Sequence, residues 1–150
     1  MKLLTSLLIL LLSITASAAD GPYNEAADAK LAVKQALAQA VVSKKPVIVV
    51  FGANWCGDCK ALDAAMKHGA SAPLILRDFE VVKVDVGHFN KNLDLAKSYG
   101  VPLQKGIPAV VVLSPANKVL HATRDGELAN ARSLGDQGIY TLLKRMAAGS

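Results

Sequence analysis

The chain has 150 residues, 52% of them hydrophobic and 5% aromatic, and its 17 Lys and Arg against 12 Asp and Glu give a net charge of +5. That length suits one domain able to bury its own core. The positive charge is scattered, with no block of like charge and few aromatic rings to stack bases, which argues against a nucleic-acid-binding surface.

Met1-Lys2 is a short basic start, Leu3 to Ile14 is apolar apart from Thr5, Ser6 and Ser13, and Ala16-Ser17-Ala18 is a small-x-small site. This is the layout of a secretory signal peptide. The apolar run falls short of the roughly 20 residues that span a bilayer. Residues 1–18 are therefore expected to direct export to the periplasm and to be removed; an uncleaved anchor is the competing reading. A lipidated anchor would need a cysteine at the cleavage point, and residues 1–20 contain none. The folded domain is expected within residues 19–150.

Residues 19–24 read as a flexible lead-in. From Glu25, with Asn24 as N-cap, Ala26, Ala29, Leu31, Val33, Ala36, Leu37, Ala40 and Val41 recur near helical spacing until Ser43-Lys44-Lys45-Pro46. Val47 to Phe51 is an apolar, largely β-branched run of the kind buried on both faces of a mostly parallel sheet. A helix is expected to open near Cys56, with Cys59, Leu62 and Met66 inward, Lys60, Asp63 and Lys67 outward, and Gly69 and Pro73 closing it. Phe79 to Val86 reads as a second strand. Asn90 to Tyr99 reads as a helix, with Leu93 and Leu95 inward. A loop through Gly106 leads to a third strand, Ala109 to Leu113. Ser114-Pro115-Ala116-Asn117 is turn chemistry, Lys118 to Ala122 a returning antiparallel strand, and Ser133 or Leu134 to Met146 a final helix weakened at Gly135 and Gly138. The order predicts an α/β domain with a mixed central sheet flanked by helices.

The two cysteines of the chain stand three positions apart, at Cys56 and Cys59, after a buried strand and at the start of a helix. A helix N-terminus presents unpaired N–H groups and partial positive charge, which lowers the pKa of a thiol placed there. One turn of helix brings the second sulfur within bonding reach of the first. Cys56 is then the nucleophile that attacks a substrate disulfide, and Cys59 the thiol that resolves the mixed disulfide. A bridge closing so short a loop constrains the unfolded chain little, so its position argues for reactivity over stabilisation. Cys59, on the inward stripe, is expected to be the less exposed of the two.

Trp55-Cys56-Gly57-Asp58-Cys59-Lys60, together with Tyr99-Gly100-Val101 and then Gly106-Ile107-Pro108, resembles the thioredoxin family across residues 25–147. More narrowly it is similar to exported bacterial members, in which a Gly-Ile-Pro-Ala segment is followed by a Gly-Glu-Leu-Ala segment, here Gly126 to Ala129. The resemblance implies a thioredoxin fold with an extra N-terminal helix and a cis Ile107–Pro108 bond. It also implies a groove in which substrate pairs with the backbone at Ile107 beside the Trp55 rim. It implies no bound cofactor, since the cysteine pair is the redox group. Partners would be cysteine-containing exported proteins and a membrane-bound thiol redox protein, with the chain itself a monomer.

Two departures from the family pattern bear on chemistry. Thioredoxins usually place a buried Asp where this chain has Val50, so Lys83, at the position of the neighbouring strand lysine, is expected to lack its partner. Water, Asp58 or another group would then have to deprotonate Cys59. Asp58 replaces the family's Pro; its charge suits a helix N-terminus but repels a nearby thiolate. Cys56 should thus have a lowered pKa, though less so than in strong oxidants. The Gly57-Asp58 dipeptide is closer to the Gly-Pro of reducing members, which favours a reductase or isomerase. The alternative is a copper(I)-handling or binding module, two thiolates suiting that ion. However, His68, His88 and His121 are isolated in the sequence, and Met66 falls on the packing stripe, where it reads as core filler.

Overall fold

The computed structural model describes residues 21–149; the segment read as a signal peptide lies outside them. Helix α1 (Ala29–Ser43) is followed by β1 (Val47–Gly52), α2 (Gly57–His68), α3 (Ala72–Asp78), β2 (Glu80–Asp85), α4 (Leu93–Ser98), β3 (Ala109–Leu113), β4 (Val119–Ala122) and α5 (Ala131–Ala148). The four strands form one sheet in the order β2-β1-β3-β4. β1 runs parallel to β2 and antiparallel to β3, and β3 runs antiparallel to β4. The mixed sheet flanked by helices and the additional N-terminal helix are those expected of a thioredoxin fold.

Every residue of β1 and of β3 is buried. That is why both read as continuous apolar runs without alternation: each face of a central strand is covered. Burying each Val or Ile side chain contributes about 1.5–3 kcal/mol relative to exposure, before the entropy of ordering it. Helix α2 packs on α5 and α3, and α1 on β2 and β1.

The helix boundaries depart from expectation for identifiable reasons. The N-cap of α1 is Asp28, whose carboxylate accepts the Leu31 N–H at 3.0 Å. Asn24 instead accepts the Ala26 N–H within its own turn, so the helix starts at Ala29 and not at Glu25. Ala29, Val33 and Ala40 are buried, while Leu31 and Val41 are half exposed. Pro73 does not only end α2: it sits in the first turn of α3, a helix not expected from the sequence, where its missing N–H has no partner to lose. Phe89 and Asn92 adopt positive φ of 59° and 55°, which postpones α4 to Leu93. Leu93 is consequently exposed, and Leu95 alone of the expected pair is buried. Gly135, at φ 65° and ψ 176°, breaks the first turn of α5 from the remainder. The 21–24 lead-in also differs from expectation, because Tyr23 is completely buried.

Candidate active site

Strand β1 ends at Gly52, and Ala53-Asn54-Trp55 carries the chain to the start of α2. Cys56 is the N-cap of that helix, in extended conformation, and its Sγ accepts the Cys59 N–H at 3.1 Å. The two cysteines form a disulfide. Sulfur thus takes the capping position that Ser or Asp ordinarily fills, so a thiolate released at Cys56 inherits a backbone N–H and the positive end of the helix. Cys56 is 6% exposed and Cys59 fully buried, the inequality expected of a nucleophile and its resolving partner.

The Ile107–Pro108 peptide is cis, and the Ile107 carbonyl oxygen lies 3.6 Å from Cys56 Sγ. The loop ahead of it is held by close glycine contacts. Gly106 (φ 110°) and Gly126 (φ 75°) both adopt backbone conformations that side chains disfavour. A Cβ at Gly106 would stand 2.7 Å from that of Ala129, and one at Gly126 would stand 2.5 Å from the Lys105 carbonyl oxygen. The Gly-Glu-Leu-Ala segment is therefore the buttress of the Ile107–Pro108 turn.

Trp55 is half exposed at the rim. Its indole stacks on His88 (5.4 Å between centroids, 4° between planes), meets Phe89 edge-on, and donates Nε1–H to the Gly87 carbonyl at 2.9 Å. His88, isolated in sequence, is part of this aromatic ledge. From Phe89 an apolar groove of about 810 Å³ extends past Leu93, Val101 and Leu103 to Gly106.

Asp58 does not present a bare charge to Cys56. Arg132, at the start of α5, donates Nε–H and Nη2–H to the Asp58 carboxylate at 3.2 and 3.1 Å, and its backbone N–H donates at 3.0 Å. These bonds hold the Asp58 carboxyl below its ordinary value. The guanidinium passes over Gly57, where a Cβ would approach it to 3.2 Å. The repulsion expected from Asp58 is offset by Arg132, which lies 74 residues further along the chain and carries no local signal of this role.

Lys83 is not without a partner either. Val50 pairs with it in register across β1 and β2 and supplies no acid. The carboxylate comes instead from Asp63 on α2, which pairs with Lys83 and, at 3.0 Å, with Lys67. Asp63 was expected to face outward, but its side chain is only 14% exposed. It lies four residues after Cys59, on nearly the same helix face. Burial pushes the Asp63 carboxyl up, but the two ammonium groups outweigh it and hold it below its ordinary value. Burial pulls Lys83 down, with Asp63 opposing. Met66 is buried in the core, and among the described residues no three His, Cys, Asp or Glu side chains gather as metal ligands would.

A family model described as thioredoxin-like matches residues 28–115. The chain belongs to the thioredoxin-like family. It is 31% identical over 99 residues to a thioredoxin of Mycoplasmoides gallisepticum, covering 66% of this chain and 80% of that protein. It is 30% identical over 88 residues to a thioredoxin of Pseudomonas aeruginosa, covering 58% and 71%. The solved structure of a disulphide isomerase from Xylella fastidiosa Temecula1 is 51% identical, with a TM-score of 0.81 over 86% of this chain and 98% of that one. The fold, the Cys56–Cys59 disulfide at a helix N-terminus and these likenesses define a thiol–disulfide oxidoreductase.

Proposed function

We propose that this protein reduces or isomerises disulfides in exported, cysteine-containing polypeptides. It does so in the periplasm, as a monomer, and is kept reduced by a membrane-bound thiol partner. The observation that carries the reading is the seating of Cys56. Its sulfur caps α2, lies 3.6 Å from the Ile107 carbonyl oxygen at the cis bond, and is followed two residues on by Asp58, whose carboxylate is tied to Arg132. A substrate strand laid along Ile107 and Pro108 would present its disulfide to Cys56, with Trp55 and the apolar groove receiving flanking side chains. The likeness to the Xylella fastidiosa disulphide isomerase supports an isomerase over a strong oxidant, as does the Gly57-Asp58 dipeptide. Export rests on the layout of residues 1–18.

The exchange runs in two displacements. Cys56 thiolate attacks one sulfur of a substrate disulfide, forming a mixed disulfide and expelling the other substrate sulfur as thiolate. Cys59 thiolate then attacks Cys56 Sγ, re-forming the internal bond and releasing the second substrate sulfur with its electron pair. In isomerisation the freed substrate thiolate attacks another disulfide of its own chain, and the thiolate released there attacks the substrate sulfur of the mixed disulfide, expelling Cys56 as thiolate without Cys59 acting.

The test is the equilibrium constant of the Cys56–Cys59 pair in graded thiol buffers, followed by Trp55 fluorescence. A potential near about −270 mV fits a reductase, and intermediate values near about −180 mV fit an isomerase. A value near about −120 mV would make the protein a disulfide donor and sink the proposal.

A further inference from the structure

Behind Cys59 lies a phenol that the exchange chemistry described so far does not use. Tyr23 precedes α1, is fully buried, and its hydroxyl has no hydrogen-bond partner among the described residues. An unpaired buried hydroxyl is costly, and one kept in a native structure calls for an explanation such as a partner gained in another state of the molecule. Its position is held deliberately. Asn54, two residues before Cys56, accepts the Tyr23 N–H at 2.9 Å and donates back to the Tyr23 carbonyl at 2.8 Å and to Glu25 at 3.0 Å. The loop that delivers the nucleophile thus also fixes Tyr23.

The hydroxyl and the Cys59 sulfur border the same small space. A Cβ built on Gly52 would overlap the Tyr23 phenol oxygen and lie 2.9 Å from Cys59 Sγ. Gly52 leaves that space open between them. The charged groups facing it are Asp63 from α2 and Lys83 and Asp85 from β2. Lys83 Nζ stands 5.6 Å from the centre of the Tyr23 ring. Lys83 is paired to Asp63, and Lys91 lies 3.5 Å from Asp85. Burial first, then the Asp63 and Asp85 charges, push the phenol far above its ordinary value. Tyr23 therefore keeps its proton and can act only as a donor or as a weak neutral acceptor, never as the base.

We infer that Tyr23 is a positioning residue whose hydroxyl donates a hydrogen bond to the Cys59 thiolate of the reduced and mixed-disulfide states. When an incoming thiolate attacks Cys56 Sγ, the Cys56–Cys59 bond breaks and Cys59 leaves with the bonding electron pair. The Tyr23 O–H then has the acceptor it lacks in the disulfide. In the reverse step Cys59 thiolate attacks Cys56 Sγ of the mixed disulfide, the substrate sulfur leaves as thiolate, and the hydroxyl returns to its unpaired state. No proton leaves Tyr23 in either direction. This inference deepens the proposed exchange at the same site and rests on it.

Tyr23→Phe tests it, because the ring is kept and only the unpaired oxygen goes. In a Cys56→Ser background, the ultraviolet absorbance of the Cys59 thiolate is titrated with Tyr23 and with Phe at 23. The Phe variant should need about a tenfold lower proton concentration for the same thiolate fraction, the effect of losing one hydrogen bond to a charged group. With both cysteines present, and at a pH where Cys59 is ionised in both proteins, the exchange constant with glutathione should shift about tenfold towards the disulfide, which for a two-electron couple is about 30 mV more negative. Oxidised Tyr23→Phe should unfold at a urea concentration no lower than the parent protein. Identical Cys59 titrations with and without the hydroxyl would overturn the inference, and so would a less stable oxidised variant, since the hydroxyl would then be satisfied before reduction. Failure of the parent protein to exchange with glutathione at all would instead strike the proposed function, whatever the titration shows.

Discussion

The two cysteines of one disulfide sit in environments built in opposite ways. Around Cys56, most of the working groups come from short contiguous segments: Trp55 to Asp58, Ile107-Pro108, and the Gly126–Ala129 buttress that leads to Arg132. Of these, Trp55 is exposed and Gly57 and Asp58 are partly so, while Cys56, Ile107 and Pro108 are buried. Around Cys59 the groups come singly from distant places, Tyr23 ahead of α1, Asp63 on α2, and Lys83 and Asp85 on β2, and they face inward. In the proposed exchange, recognition and attack would thus rest on local motifs, and control of the second sulfur on tertiary folding. The resolving side is tied to the packing of the whole domain.

The largest expected effect breaks this comparison at its centre. Cys56→Ser should reduce disulfide exchange to the level of buffer in an insulin-reduction assay, while urea unfolding shows a folded protein, since the short bridge contributes little stability. Loss of folding with loss of activity would mean that the rim and the core are not separable in this way.

Next in size is Asp63→Asn, which leaves the buried Lys83 charge without its carboxylate. It should cost about 3 kcal/mol of unfolding free energy. The pH dependence carries a sign. The Asp63 carboxyl is held lower in the folded protein than in the unfolded chain. Its contribution is therefore fully present above the ordinary carboxylate range and is lost as pH falls through the folded value. Urea midpoints measured from neutral pH downward should fall more steeply for the parent than for Asp63→Asn. Parallel curves would show that the pair does not hold the inner side together.

The smallest effect belongs to the rim. Arg132→Ala frees the Asp58 carboxylate beside Cys56 and should slow alkylation of the reduced Cys56 thiol about threefold near neutral pH, in keeping with an exposed ion pair. Asp58→Asn in the same background should restore the rate. A faster Arg132→Ala variant would mean that the guanidinium hinders access more than it offsets charge.

The same division explains what the sequence made legible. β1 and β3 announce themselves because a strand covered on both faces must be apolar throughout. Cys56 announces itself because a helix start is local; Trp55, Ile107 and Pro108 are legible only through the resemblance of their contiguous motifs to the thioredoxin family. Asp63 did not, although its place four residues after Cys59 puts both on nearly one helix face. Charge alone suggested solvent, and nothing in α2 reveals that Lys83 waits across from it. α3 was hidden because Pro73 serves equally to end one helix and to begin another. Tyr23 carries no periodic signal; a ring in a short polar stretch becomes a core residue only because Asn54 reaches back to hold it.

That tether has a consequence for where the domain begins. The match to the family model starts at Asp28, and a chain trimmed to that residue would keep both cysteines and every strand and helix of the described residues. It would also lose Gly21 to Ala27, and with them the ring that fills the floor behind Cys59 and the backbone groups that hold Asn54. The boundary drawn by shared ancestry and the boundary required by a dry, closed wall behind the second sulfur are therefore different boundaries. The few residues between them belong to the enzyme.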